Sequence, residues 1–437
     1  VNINALPLDA NINGWSAMLP PRAARPALRR KITVDWLIIG AGYAGLAFAR
    51  RVAENRPHEQ VVVLDARDVD NSASARNSGF AIDLPHNIGS STAELEKAAN
   101  YRRLLHTGLE QLQTLIDRYG IACDWQQQGK YHCIVRPERQ DLLAHYAHEL
   151  EALSEPYQLL QGQALARKLG TPYYHAAIYT PHCVLLNPAA LVRGLADNLP
   201  DNVTLYEDTP ALAIHPGQPI RVTTPYGEVS ARQVMVATNG CARQLPMFAH
   251  QVVGLSTFAT LTEPLTPEQQ QRIGELDPWG MTPANAIAGA TLRYTRDGRF
   301  LIRQHVTYAP GYTVTSRLTA DITRQHQALF LSRFPQLADL PIAHSWSGMI
   351  GVTRNGAPGW GKFADNLYAA VGCNGAGISK QTVAGSTLAD LACGVDNALI
   401  TEMQSLGKPN RIPPRPLLDM GIRASILKER WLGRHEY

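Results

Sequence analysis

VDWLIIGAGYAGLAF, residues 34–48, followed by VVVLD at 61–65, is the stretch that decides how the chain folds. An apolar strand from Thr33 reaches Gly40, a helix follows over about Tyr43 to Glu54, and a second strand, Gln60 to Leu64, ends on Asp65. This is a β-α-β unit of the usual size. The turn inside it, Gly40-Ala41-Gly42-Tyr43-Ala44-Gly45, reads G-x-G-x-x-G. Gly40 makes the tight turn, Gly42 lets backbone approach a pyrophosphate, and Gly45 permits close helix–strand packing. The helix N-terminus adds free N–H donors and partial positive charge for that group. Asp65, placed 25 residues after Gly40, would accept the ribose hydroxyls. Set against a tight turn in an unrelated α/β fold, the whole context predicts a dinucleotide site.

Working outward, the first thirty residues lack periodicity and carry Pro7, Pro20, Pro21 and Pro26, which predicts an arm lying across a domain surface. Helical spacing recurs at Ala93 to Arg118, Glu138 to Leu153, Pro188 to Asn198, Ala320 to Phe334 and Ile378 to Ala392. Strand-like text fills Val203 to Val236 and, with an Asp297-Gly298 hairpin signal, Val252 to Gln304. Strands separated by helices at both ends argue for α/β, while the middle reads as antiparallel.

The 437 residues are enough for two to three domains. A hydrophobic fraction of 45% with only 18% charged residues excludes wholesale disorder. A formal charge of +4 gives no reason to expect a nucleic acid as ligand. The six cysteines form no C-x-x-C or zinc-finger spacing, so they read as free thiols of a reducing compartment. Prolines and arginines from Pro20 to Lys31 interrupt any signal-peptide core, and the apolar run Trp36 to Ala49 is too short for a membrane span. A cytoplasmic protein is expected.

Two further segments favour FAD over NAD, because nicotinamide dehydrogenases need no nucleotide-contacting segment so far downstream. VMVATNG at 234–240 resembles the strand that closes an FAD domain, and NLYAAVGCNGAGISK at 366–380 places glycines 372, 375 and 377 before a helix. With these, the loop ARNSGF at 75–80, LLNPAALVRGL at 185–195, RDGRFLI at 296–302 and HSWSGMIGVTRNGAPGWG at 344–361, the chain resembles the D-amino-acid oxidase superfamily of FAD-dependent oxidoreductases. The Arg-Asn-x-Gly loop and the arm-like start most resemble the γ-glutamylputrescine oxidase and glycine/sarcosine oxidase branch.

That resemblance implies a discontinuous Rossmann-like FAD-binding domain (1–90, 186–248 and 342–437) and an inserted α+β substrate domain with an antiparallel sheet (91–185 and 249–341). It implies that the turn Gly40, Ala41, Gly42, Tyr43, Ala44 and Gly45 binds pyrophosphate, with Ser74 nearby, and that Asp65, Ala66 and Arg67 lie on the adenosine side. Ala211 stands where the family usually has a valine whose backbone meets adenine. Arg76, Asn77, Ser78 and Gly79 would run beside the flavin ring, and Ala237, Thr238, Gly240 and Gly348 join the cofactor set. Gly372, Asn374, Gly375, Ala376, Gly377, Ile378 and Ser379 would pass along the pyrimidine edge.

The implied chemistry is oxidation of a C–N bond, a hydride moving from carbon to flavin N5 to leave an imine. N–H groups at 375–379 would stabilise the charge that develops on the ring. Lys380 is either a further positive charge there or a solvated lysine on a helix surface. A guanidinium for a substrate carboxylate is offered by Arg303 or Arg354, with Tyr294 and His305 as neighbours. In RFLIRQHV the cavity-facing residues read as Leu301 and Arg303, with no lysine for oxygen activation. Oxygen and a quinone or carrier therefore both stand as electron acceptors. Trp346 is placed by the family next to the flavin. Cys373 makes a covalent tether conceivable, but the family's tethering position does not match it, so non-covalent FAD is expected.

His145, His148 and Glu149 do not follow a metal motif and read as a solvated helix face. The chain has neither a G-x-S-x-G elbow nor a P-loop. In GIRASILKERWL, Ile422, Ile426 and Leu427 share a face with Trp431 nearby, predicting a helix packed on the FAD domain. The alternative is a peripheral membrane contact, which would suit a quinone-linked dehydrogenase. A flavin subunit of a larger assembly is the remaining alternative.

Overall fold

Two eight-stranded sheets share the walls of one cavity in the computed structural model, which describes residues 1–9, 11–85, 92–283 and 289–434. The first sheet is built on Lys31–Ile39, where β-branched and aromatic residues favour an extended chain. It pairs in parallel with Glu228–Val236 on one side and Val61–Leu64 on the other. Val203–Tyr206 extends one edge in parallel, Leu367–Val371 the other, and Gly359–Ala364 closes the order antiparallel. Ile220–Thr223 and Ala213–His215 add an antiparallel flap on Glu228–Val236.

Such a parallel sheet must be covered on both faces. Trp36 and Ile38 enter a core with the helices Tyr43–Asn55, Pro188–Asp197 and Gly377–Cys393. Leu37 and Ile39 enter a second core under the antiparallel flap. Pro188 stands in the first turn of its helix, and Asn187 caps it by accepting from the Ala189 and Ala190 N–H groups.

The second sheet runs Ile342–Thr353, Val252–Thr262, Phe300–Thr307, Thr291–Tyr294, Trp279–Pro283, Lys130–Ile134, Ala176–Thr180 and Gln158–Gln161. Its neighbours are antiparallel except for Trp279–Pro283 against Lys130–Ile134, which come from distant parts of the chain. Phe300, Phe330 and Phe334 form the aromatic centre of its core, packed under the helix Ser316–Arg333. The architecture is thus mixed α/β, a parallel Rossmann-like sheet with a separate, mostly antiparallel one. Ile342–Thr353 is hydrogen-bonded into this second sheet, although 342–437 is assigned above to the cofactor layer. The proposed boundary at 90/91 lies outside the described residues.

The arm departs from expectation only in how it is held. Many of its residues are exposed, as on a surface, but it is pinned by a bridge from Asn2 to Ala213, another from Leu8 to Thr313, and the short helix Gly14–Ala17. Trp15 is buried, its indole N–H donating to the Asn77 carbonyl at 2.8 Å. The helix Leu417–Leu432 departs too. Leu418 and Ile422 pack on Val253, Leu255, Tyr308 and Val352 of the second sheet, while Leu427 and Trp431 face out. No helix among the described residues is long and apolar enough to cross a membrane.

Candidate active site

The glycine turn opens onto a cavity of about 1130 Å³, above the 300–1,000 Å³ usual for small-molecule pockets. Gly40 has a φ of +110°, and a Cβ on Gly45 would stand 1.8 Å from the Gly40 carbonyl oxygen. Gly42 is the N-cap of Tyr43–Asn55 and supplies no side-chain hydrogen bond, which leaves the first turn open. Gly40, Gly42, Tyr43, Ala44 and Ser74 line this end, whereas Ala41 and Gly45 pack behind it. The buried Tyr43 hydroxyl donates to the Pro188 carbonyl.

Asp65, Ala66, Arg67 and Ala211 line the neighbouring stretch. The Asp65 carboxylate accepts from the Ala41 N–H at 2.7 Å and the Arg67 N–H at 3.1 Å. Burial nevertheless outweighs these donors and raises its pKa to about 6, with Glu207 and Asp68 contributing. Arg67 itself reaches the Pro7 carbonyl of the arm.

Farther along, Ala237, Thr238, Gly240, Gly348 and the loop Arg76, Asn77, Ser78 form the wall. Asn77 knits that loop, donating to the Ser74 carbonyl at 2.7 Å and accepting from the Gly79 N–H at 2.8 Å. Gly79 is out of the cavity, with a φ of +75° and the Leu186 carbonyl 2.3 Å from where a Cβ would be. Arg76 is buried and donates to the carbonyls of Asn11 and Ser347, so its guanidinium ties the loop to the arm and to the second sheet. Burial lowers its pKa.

A second helix, Gly377–Cys393, packs against Tyr43–Asn55, Gly385 meeting Ala44, and begins at the cavity without a side-chain cap. Asn374, Gly375, Gly377 and Ile378 line the cavity there, while Gly372, Ala376 and Ser379 lie behind. The buried Ser379 hydroxyl donates to the Ile82 carbonyl at 2.7 Å. Two helix N-termini without side-chain caps of their own, an acid hydrogen-bonded to the Ala41 N–H of the glycine turn, and a cavity large enough for a dinucleotide form a set of donors and one acceptor that fits FAD.

Lys380 is neither solvated nor on the cavity wall. It is fully buried, 5.5 Å from the Tyr101 ring centroid, and donates to the Gly372 carbonyl at 3.4 Å. The reason is the helix itself, which is covered on nearly every side and turns Lys380 away from the cavity. Trp346 is also off the wall. Its indole N–H donates to the Arg76 carbonyl at 3.0 Å and its ring meets Trp15 edge-on at 6.4 Å, so it holds the Arg76 loop from behind.

In the second sheet, Arg303 lines the cavity, and desolvation lowers its pKa. Leu301, expected beside it, is buried in the core of the first sheet's helices. His305 sits at a β-bulge with φ +69°, which brings Arg303 and Val306 to the same wall. His305 itself lies off that wall, 5.4 Å from the His326 ring, its pKa pushed down to about 4 by burial. Tyr294 packs on Phe300 in the core, 5.0 Å between centroids. Arg354 is exposed on the turn after Ile342–Thr353. Cys373 lines the cavity; its sulfur accepts from the Asn239 amide at 3.4 Å.

Several wall residues went unread. Lys130 and His132 alternate on one strand, and Leu142, His145, Tyr146 and Glu149 come from the helix Gln140–Ala152. His145 and His148 are exposed, as the solvated reading has it; His145 Nε2 stands 3.4 Å from the buried Glu149 carboxylate, and both His145 and Glu149 also border the cavity. Lysine and histidine two apart in an apolar strand were the available signal. The arm contributes Ile3, Leu6, Pro7 and Asp9 to the wall. No cluster of three metal-ligating side chains occurs among the described residues.

The family described as DAO, FAD dependent oxidoreductase, matches residues 35–391. A relative named probable oxidoreductase OrdL, from Haemophilus influenzae, is 25% identical over 423 residues, 94% of each chain. The gamma-glutamylputrescine oxidoreductase of Escherichia coli is 26% identical over 378 residues, 84% of this chain and 85% of its own. Among solved structures, glycine oxidase from Geobacillus kaustophilus superposes with a TM-score of 0.70 at 21% identity, covering 84% of this chain and 96% of that one. L-proline dehydrogenase from P. horikoshii gives 0.66 at 18% identity, covering 85% and 96%. With the family matched over most of its length, and a cavity whose donors suit the cofactor, this chain belongs to the DAO family of FAD-dependent oxidoreductases.

Proposed function

We propose that the chain oxidises the C–N bond of an amine or amino acid to an imine, with FAD held non-covalently. The observation that carries this reading is a single cavity that begins at the glycine turn and ends among Arg303, Lys130, His132, Tyr146 and Glu149. FAD, when bound, supplies the two-electron acceptor for hydride transfer. The protein then has to orient the substrate, exclude water and stabilise charge.

Arg303 offers a planar fork for a substrate carboxylate. Lys130 stands three strands away in the same sheet, and Glu149 borders the cavity from the helix above it. This second polar station suits a longer substrate carrying another amine or carboxylate. The open N-terminus at Gly377, which lines the cavity, supports negative charge there. Relatives named for gamma-glutamylputrescine and glycine oxidation support a carboxylate-bearing amine.

The test is anaerobic visible spectroscopy of the FAD-loaded protein with amines, D-amino acids, N-methyl amino acids and γ-glutamyl polyamines. Bleaching of the flavin bands by one class is the expected result, and re-oxidation on admitting air then distinguishes oxygen from a quinone or carrier. A protein that cannot be loaded with FAD, or a flavin that no C–N substrate reduces, refutes the reading. Acid precipitation should release the flavin to the supernatant; flavin retained in the pellet refutes the non-covalent assignment.

A further inference from the structure

The helix Leu417–Leu432 presents an apolar stripe that none of the described residues covers. Leu417, Met420, Leu427 and Trp431 are 62%, 66%, 65% and 62% exposed. Ala424 completes a three-and-four spacing between them and is exposed as well. The stripe is not the face of a loose helix. Leu418 is buried, the Tyr308 hydroxyl donates to the Asp419 carboxylate at 2.7 Å, and Arg430 donates to the Val306 carbonyl at 3.1 Å.

One of the two basic clusters of the chain, the other being Arg22 to Lys31, lies in the same place. Residues 408–434 contain seven lysines and arginines against two acids, a net of +5, whereas the whole chain is +4 and the remainder therefore −1. Both acids are engaged, Asp419 with Tyr308 and Arg415 and Glu429 at the cavity wall. Arg423, Lys428 and Arg434 are exposed beside the stripe, Arg434 lying over the Trp431 ring at 4.3 Å.

We infer that this face docks on an anionic lipid surface. Leucine, methionine and tryptophan side chains flanked by cations match the interface between headgroups and acyl chains, with tryptophan at headgroup depth. The cations match the negative potential of acidic lipids. A second copy of the chain would bring two faces of the same sign together, which the clustered charge opposes. Glu429 and Val306 line the cavity, so docking sets its mouth beside the headgroups, within reach of apolar compounds dissolved in the bilayer. The inference does not depend on the substrate proposed above.

Flotation of the FAD-loaded chain with phosphatidylglycerol-containing vesicles, and with pure phosphatidylcholine vesicles, tests it. Binding to the anionic vesicles only is expected, weakened by high salt, with a blue shift of tryptophan emission that Trp431→Phe removes. The double variant Leu427→Glu with Trp431→Glu should lose at least about tenfold in partition while keeping its flavin content and melting temperature. Failure of the native chain to bind anionic vesicles overturns the inference, as does undiminished binding by the double variant. A dimer in solution that the double variant splits would also overturn it, assigning the face to a second copy.

Discussion

Asp65 stands between two opposing demands, a dry site and the charge that the ribose hydroxyls of a bound FAD would need. Its pKa stands at about 6 against an ordinary 3.8 because burial outweighs its two backbone donors. In the empty protein the folded state therefore binds more protons than the unfolded one between these values, and Asp65 contributes stability that is lost as pH rises through 6. Hydroxyls donating to the carboxylate favour the ionised form, so FAD binding lowers the pKa and releases a proton. Affinity should be complete above pH 6 and fall by about tenfold per pH unit below it. Flavin fluorescence titrations between pH 5 and 7.5 measure this, and Asp65→Asn should bind weakly with a flat profile. A slope that survives the substitution assigns it to another group. Arg303→Met should weaken carboxylate-bearing substrates by roughly 30- to 150-fold, about 2–3 kcal/mol, with the flavin spectrum unchanged. An equal loss for substrates without a carboxylate contradicts the assignment.

At the scale of elements, the glycine turn was legible because its requirements are local. A tight φ, an approach to backbone and an acid ending the next strand are all properties of adjacent text. Gly45→Ala puts a Cβ against the Gly40 carbonyl, where nothing flexible can yield. It should cost about 3 kcal/mol in denaturant unfolding of the FAD-free protein; a loss below measurement would mean that the turn can open. The second sheet was less legible because which side chains reach the cavity depends on distant strands. The bulge at His305 changes the alternation, and Lys130 reaches the wall only because its strand pairs with residues far along the chain. Lys380 was misread because a polar residue at helical spacing gives no sign that the helix is covered all round. The arm was illegible for a different reason, since isolated anchors hold it without any periodic pattern. Trp15 is the main anchor, contacting Trp346, the Asn77 carbonyl and the Arg293 guanidinium, which lies 5.0 Å over its ring. Trp15→Ala should cost roughly 3–5 kcal/mol and speed FAD dissociation, because the arm residues Ile3, Leu6, Pro7 and Asp9 line the cofactor end. Unchanged FAD off-rates would reduce the arm to a structural strap.

For the whole molecule, the decisive fact is that both sheets build one cavity and share one core, where Ala259, Leu261, Leu301 and Trp346 of the second sheet join Trp36 and Ile38 of the first. The first sheet packs Trp36 and Ile38 on one side and Leu37 and Ile39 on the other, and the second centres on Phe300, Phe330 and Phe334. A ligand that binds only the folded state adds stability as RT ln(1 + [L]/Kd), about 2.7 kcal/mol at a hundredfold excess over Kd. Scaling the unfolding entropy by residue number, that raises the melting temperature of a chain this long by about 3 °C. FAD reaching from Asp65 to the wall shared by Gly348 and Arg303 should shift the unfolding of both sheets together, giving one endotherm in calorimetry. ADP would occupy only the end around Gly42, Asp65 and Ala211, all contributed by the first sheet and its loops. The shared core should carry that gain to both sheets, so ADP should give one endotherm with a smaller shift than FAD. A transition that ADP splits would mean that the shared core, with contacts such as Arg76 to Ser347 and Trp346 to the Arg76 carbonyl, does not couple the two sheets without the flavin half.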